Sequence, residues 1–130
     1  MSGCALWQGR RRLAAIIIDE ERKLRAPMTA PATPRHVHHL LSYLVTAGVD
    51  TLILAEPSHG LLAQAHALKL AVRLLPRNLL EAIRVATGLD HRPPQHTALL
   101  LAHCDLLPAL RVHLRDARPP APQDHQLDLL

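Results

Sequence analysis

The sequence predicts an α/β fold: a small doubly wound sandwich of the Rossmann-like or flavodoxin-like kind, with about four parallel strands and helices on both faces. Three observations predict it. One pattern recurs along the chain, an apolar run, then a polar or charged tip, then a helix start. The runs are continuous rather than alternating, as expected of parallel strands covered on both faces. The length, 130 residues, suits one domain with a real core.

The clearest unit is Val49 to Gly60, V-D-T-L-I-L-A-E-P-S-H-G. It reads as a buried strand over Thr51–Ala55 that ends on Glu56, followed by a turn at Pro57–Ser58. Ahead of it, residues 1–12 read as an irregular basic lead-in. Its run Arg10, Arg11, Arg12 is either a solvated terminus or a phosphate contact. Leu13–Ile18 is the first predicted strand, closed by Asp19, Glu20 and Glu21. A loop from Arg22 to Ala32 follows, carrying Arg22, Lys23 and Arg25. Such length after a strand often marks function.

Thr33-Pro34 opens the first helix, since Thr caps well and Pro is favoured at the first helical position. Val37, Leu40, Leu41, Leu44 and Val45 keep helical spacing, and Gly48 ends the run. Ser58 can cap a second helix. Ala71–Leu75 is the third predicted strand, with Pro76-Arg77 as its tip. Asn78 and Glu81 then suggest a capping box for a helix over Leu79–Thr87. Thr97–Ala102, T-A-L-L-L-A, reads as a fourth strand tipped by His103-Cys104-Asp105, with a last helix over Leu106–Arg115. The domain is expected over 13–116, with strand order 2-1-3-4. From 117 to 130 the chain turns Pro-rich and reads as a flexible tail.

Composition narrows the function classes. Phe is absent and there is one Trp and one Tyr, so stacking platforms for single strands are scarce. The net charge is +4, and of the 15 basic residues only Lys23 and Lys69 are lysines. That balance either favours anionic partners such as DNA or reflects a general bias toward Arg. Cys4 and Cys104 have no metal-type spacing, which points to a reducing cytoplasm. No apolar run is long enough for a membrane span, and the N-terminal charges follow a short apolar patch, the reverse of a secretory signal.

If all strands run the same way, their C-terminal ends gather Asp19 and Glu20, Glu56 with Ser58 and His59, Arg77 with Asn78, and His103 with Asp105 on one edge. Carboxylates from separate strands suit a hard cation. Asp19, Glu56 and Asp105 would hold Mg²⁺ or Mn²⁺ for phosphodiester cleavage, and His59 would move a proton. Arg22, Lys23, Arg25 and Arg77 would hold phosphates. The same residues are also explained as helix caps, or as a phosphate-ligand site without catalysis. No Gly-rich phosphate loop is present. Ten histidines include H-V-H-H at 36–39, which has no zinc-type partner and reads as a solvated helix start.

The last five residues, Gln126, Leu127, Asp128, Leu129 and Leu130, resemble the bacterial sliding-clamp-binding motif Q-L-[S/D]-L-F, with Leu130 in place of Phe. The resemblance covers these five residues only. It implies that the clamp is a partner and that the tail tethers the domain to DNA. The expectation is a DNA replication, repair or mobile-element accessory protein, with or without a cation-assisted phosphodiester site. The alternatives are a non-enzymatic adaptor of the same fold and a phosphate-ligand-binding module.

Overall fold

The structure, a computed structural model, describes residues 2–55, 57–88 and 94–117. The strands are β1 (Ser2–Gln8), β2 (Arg12–Ile18), β3 (Met28–Pro31), β4 (Val49–Leu54), β5 (Ala71–Leu74) and β6 (Arg115–Ala117). The helices are α1 (Pro34–Thr46), α2 (His59–Ala67), α3 (Arg77–Thr87), α4 (Pro94–Leu106) and the single turn α5 (Pro108–Arg111). All six strands form one sheet in the order β3-β2-β1-β4-β5-β6.

Three strands, β1, β4 and β5, are parallel; β2 runs against β1, β3 against β2, and β6 against β5. The fold is thus mixed α/β with a parallel centre, rather than the four parallel strands expected. The order 2-1-3-4 is also replaced, because β1 inserts between β2 and β4.

β1 is the main surprise. Residues 1–12 were expected to be irregular, yet Cys4, Ala5 and Leu6 are buried at the middle of the sheet. Gly9 makes the β1–β2 hairpin possible. Its N–H donates to the carbonyl of Arg12 at 2.9 Å, and a Cβ on it would meet that oxygen at 3.0 Å. Tight reversal places β2 antiparallel, as two-strand hairpins must be.

Side chains of β1 and β2 alternate between two cores. Cys4, Leu6, Leu13, Ala15 and Ile17 face α1 and α2, meeting Val37, Leu41, Leu44, Leu61 and Ala65. Ala5, Ala14, Ile16 and Ile18 face Leu80 of α3 and Ala98, Leu101 and Ala102 of α4. Helices therefore cover both faces, as expected, and each fully buried aliphatic contributes about 1.5–3 kcal/mol.

The helix starts mostly follow local chemistry. The Thr33 and Ser58 hydroxyls accept from the N–H of His36 and Leu61. Gly88 ends α3 with φ of 68°, the left-handed cap that glycine favours. The Asn78–Glu81 box does not form: α3 begins two residues earlier, with Pro76 in the cap position, and the Asn78 amide oxygen accepts from Leu79 N–H instead.

Thr97–Ala102 is not a strand. It lies inside α4, where Thr97, Ala98, Leu101, Ala102, Cys104 and Asp105 are buried at helical spacing. A short apolar run cannot be told from a buried helix by periodicity alone, and Leu and Ala are strong helix formers. The expected last helix shrinks to α5, and the chain returns as β6 to close the sheet. Among the described residues, no helix is long and apolar enough to cross a membrane.

Candidate nucleic-acid interface

β2 enters the sheet upside down relative to the expectation, and this sorts the candidate residues between two opposite edges. Ile18 pairs with Gly3 at the start of β1, while Leu54 at the end of β4 pairs with Leu6. Asp19, one step past Ile18, is therefore level with Ser2. At ~3.3 Å per residue it lies roughly 13 Å along the sheet from Leu54. Asp19 and the C-terminal end of β4 therefore lie at opposite edges of the sheet.

Asp19 closes a turn. Its Oδ1 accepts from the N–H groups of Glu21 at 3.0 Å and Lys23 at 2.9 Å. Asp105, at the end of α4, lies on the same edge and is held by arginines: Arg22 at 2.9 Å, Arg73 at 3.6 Å and Arg111 at 3.8 Å. Arg22, Lys23 and Arg25 are on this edge too, Lys23 against Glu21 at 3.5 Å.

Neither carboxylate suits a shared Mg²⁺ or Mn²⁺. One is taken up by backbone N–H groups, and the other sits among guanidiniums that would repel a dication. Among the described residues, no group of three or more His, Cys, Asp or Glu could hold a metal ion. Glu56, and the tail Gln126, Leu127, Asp128, Leu129 and Leu130, lie outside the described residues.

His59 and Arg77 go to the other edge, the C-terminal ends of β1, β4 and β5, as the first residues of α2 and α3. They are joined there by residues from several elements. The hairpin tip exposes Arg10, Arg11 and Arg12, the last donating to Thr29 Oγ1 at 3.2 Å. The N–H of Ala32 donates to the carbonyl of Arg11, which pins the start of α1, with Arg35 and His36, beside that tip. Arg115, the first residue of β6, pairs with Leu74 at the end of β5. The start of α4 is near as well: a Cβ on Gly9 would lie 4.0 Å from Pro94. Gln8 Oε1 accepts from Ser58 N–H at 3.0 Å, tying the end of β1 to the start of α2.

The electrostatics of this edge are one-sided. Four helices, α1 to α4, begin here, and none carries an acid in its first turn. Each helix start adds partial positive charge from N–H groups that have no partner within the helix itself. The described carboxylates Asp19, Glu20, Glu21, Asp50 and Asp105 sit at the opposite edge; Glu81, further along α3, pairs with Arg84 at 3.4 Å, and Asp116, next to Arg115 in β6, reaches Arg73 at 3.8 Å. The Arg84 guanidinium also lies over the Trp7 ring, 4.8 Å from its centroid, at the end of β1. Among the described residues, the edge expected to be acidic is basic; Glu56, expected on it, lies outside them.

The Arg10–Arg12 run was legible only as a charge cluster. Its setting between two apolar runs, after Gly9, is the hairpin signal that would have placed it. Cys104, expected at a strand tip, is buried in α4. Burial pushes its thiol up to about 11, and that of Cys4 in β1 up to about 12.

No protein-family model matches the chain, and no curated protein matches it. Solved structures do. T. thermophilus RuvC in complex with Holliday junction substrate superposes with a TM-score of 0.57 at 13% identity, covering 90% of this chain and 99% of that one. At that identity the likeness is one of fold alone: a mixed α/β sheet flanked by helices.

Proposed function

We propose that this chain is a DNA-associated accessory protein of repair, replication or mobile-element biology, which holds the phosphate backbone along its arginine edge and binds the sliding clamp through Gln126–Leu130. One observation carries the DNA half. Arg10, Arg11, Arg12, Arg35, Arg77 and Arg115 converge on the edge where four acid-free helix starts also point. Guanidiniums and helix N-termini are the groups that hold phosphate oxygens. His59 and His36 add donors at the same place. The RuvC neighbour, whose structure is a complex with a Holliday junction substrate, adds support from fold alone. The clamp half rests on the QLDLL resemblance, and both partners place the protein in the cytoplasm.

Binding and tethering, rather than cleavage at Asp19, Glu56 and Asp105, is the reading favoured by the engagement of Asp19 and Asp105 in structural contacts. The adaptor alternative differs in that its folded domain would bind protein instead of DNA.

Fluorescence anisotropy with labelled duplex and four-way junction DNA tests the edge. The combined Arg10→Ala, Arg11→Ala and Arg77→Ala variant is expected to lose at least tenfold in affinity, while Lys69→Ala is expected to bind as the parent does. Equal binding by both variants refutes the DNA reading. Capture on immobilised sliding clamp tests the tail. Deleting Gln126–Leu130 is expected to abolish it, and unchanged capture refutes the tether.

A further inference from the structure

The edge opposite the DNA-facing one holds a feature that the proposed function does not use. Asp105 is 5% exposed, and three guanidiniums from three separate parts of the chain converge on it. Arg22 comes from the turn after β2, Arg73 from β5 and Arg111 from α5. One carboxylate needs at most one or two such partners.

The excess is not filled by other acids. Asp50 also lines the site, but its Oδ1 accepts from the Thr51 hydroxyl at 3.2 Å. Asp116 reaches Arg73 at 3.8 Å and is 77% exposed. Three cations against Asp105 and Asp50 leave a net +1 in the lining itself. Arg22 uses one terminal nitrogen for both Asp105 contacts, and Arg111 uses its Nε, so both present further N–H groups from the five each guanidinium carries.

These groups surround a cavity of about 200 Å³ that opens to solvent, floored by Gly3 and Thr51. At ~30 Å³ per liquid water it holds roughly six waters, ample for a tetrahedral oxyanion. Arg22 adopts φ of 65°, a left-handed conformation that a long L side chain rarely takes. Its guanidinium reaches Asp105, a residue 83 positions away that lines the same cavity.

The geometry points to a second anion site, for a phosphate monoester, built by Arg22, Arg73 and Arg111 with Asp105 as the internal group that preorganises them. Planar, multidentate guanidiniums match phosphate oxygens, and the carboxylate holds their forks in place before the ligand arrives. The site lies on the acid-bearing edge, so it is separate from the arginine edge proposed for the DNA backbone, and either can fail alone.

Isothermal titration calorimetry of the full chain with inorganic phosphate, at matched ionic strength, tests it. Arg111→Ala, at a half-exposed position, is expected to weaken phosphate binding at least tenfold, and Arg10→Ala with Arg11→Ala to leave it within twofold. Adenosine monophosphate against adenosine, and a 5′-phosphorylated against an unphosphorylated oligonucleotide, distinguish a free nucleotide from a nucleic-acid end. Phosphate-dependent binding in either arm supports the site and names its source. No phosphate heat, loss on the Arg10 and Arg11 substitutions instead of Arg111→Ala, or phosphate independence in both arms overturns it.

Discussion

Leu6→Ala tests the placement of β1 at the heart of the sheet. Leu6 is 1% exposed, pairs laterally with Leu54 and Ala15, and belongs to the core under α1 and α2. The substitution removes three carbons, worth ~2.4 kcal/mol at about 0.8 kcal/mol each. A residual void of roughly 40–50 Å³ adds ~1 kcal/mol, because a central strand held on both sides collapses little. The expected loss is about 3–4 kcal/mol. Urea denaturation followed by circular dichroism measures it, with a midpoint drop of roughly 2 M at a slope of ~1.5–2 kcal/mol per molar. Val85→Ala, at a position 71% exposed, serves as the control and should change little. If Leu6→Ala costs under ~1 kcal/mol, like that control, residues 2–8 are not the central strand. The two-edge sorting of the candidate residues would then fall with it.

Two further outcomes follow from features already described. Replacing Arg10 and Arg11 with alanine should reduce the slope of log affinity against log salt by about 1.8 for duplex DNA. Over a span from 50 to 200 mM that is roughly a twelvefold change in salt sensitivity, and an unchanged slope means the hairpin tip meets no phosphate. Cys4 should resist thiol reagents at pH 8 in the native protein, because burial pushes its thiol up to about 12 from 9.0. An unfolded chain ionises that thiol near pH 9 and the folded one does not. Its contribution to stability is complete below pH 9 and falls by ~1.4 kcal/mol per unit as pH rises toward 12. Denaturation at pH 8 and pH 10, with Cys4→Ala for comparison, reads the slope; rapid native labelling would contradict the burial.

How much was legible depended on how local the signal was. Thr33-Pro34, Ser58 and Gly88 announced helix ends because a cap acts on its own few neighbours. Thr51–Ala55 and Ala71–Leu75 were found because each is a short, mostly apolar run that ends in a polar tip and a helix start, and both lie in the parallel centre. T-A-L-L-L-A failed because six apolar residues fit a buried helix as well as a strand, and only tertiary context decides. β1 failed because S-G-C-A-L-W-Q has few β-branched residues and is a strand chiefly through its two neighbours. That single omission reversed β2 and carried Asp19 to the wrong edge in the expectation. The arginine edge was therefore not foreseen, although Arg77 and His59, which depend only on their own strands, were placed on it.

β6 has a mechanical consequence. It is three residues long, lies at the sheet margin, and is the last described element before the segment that ends in QLDLL. Its pairs with β5 run Leu74–Arg115, Arg73–Asp116 and Val72–Ala117, so a pull on the chain beyond Ala117 loads the last pair first. Bonds taken one after another unzip at low force, whereas bonds loaded together in shear resist. A tether anchored beyond Ala117 would thus strip β6 from β5 first, drawing Ala117 off the core it packs against and baring the margin of β5 as a pairing edge.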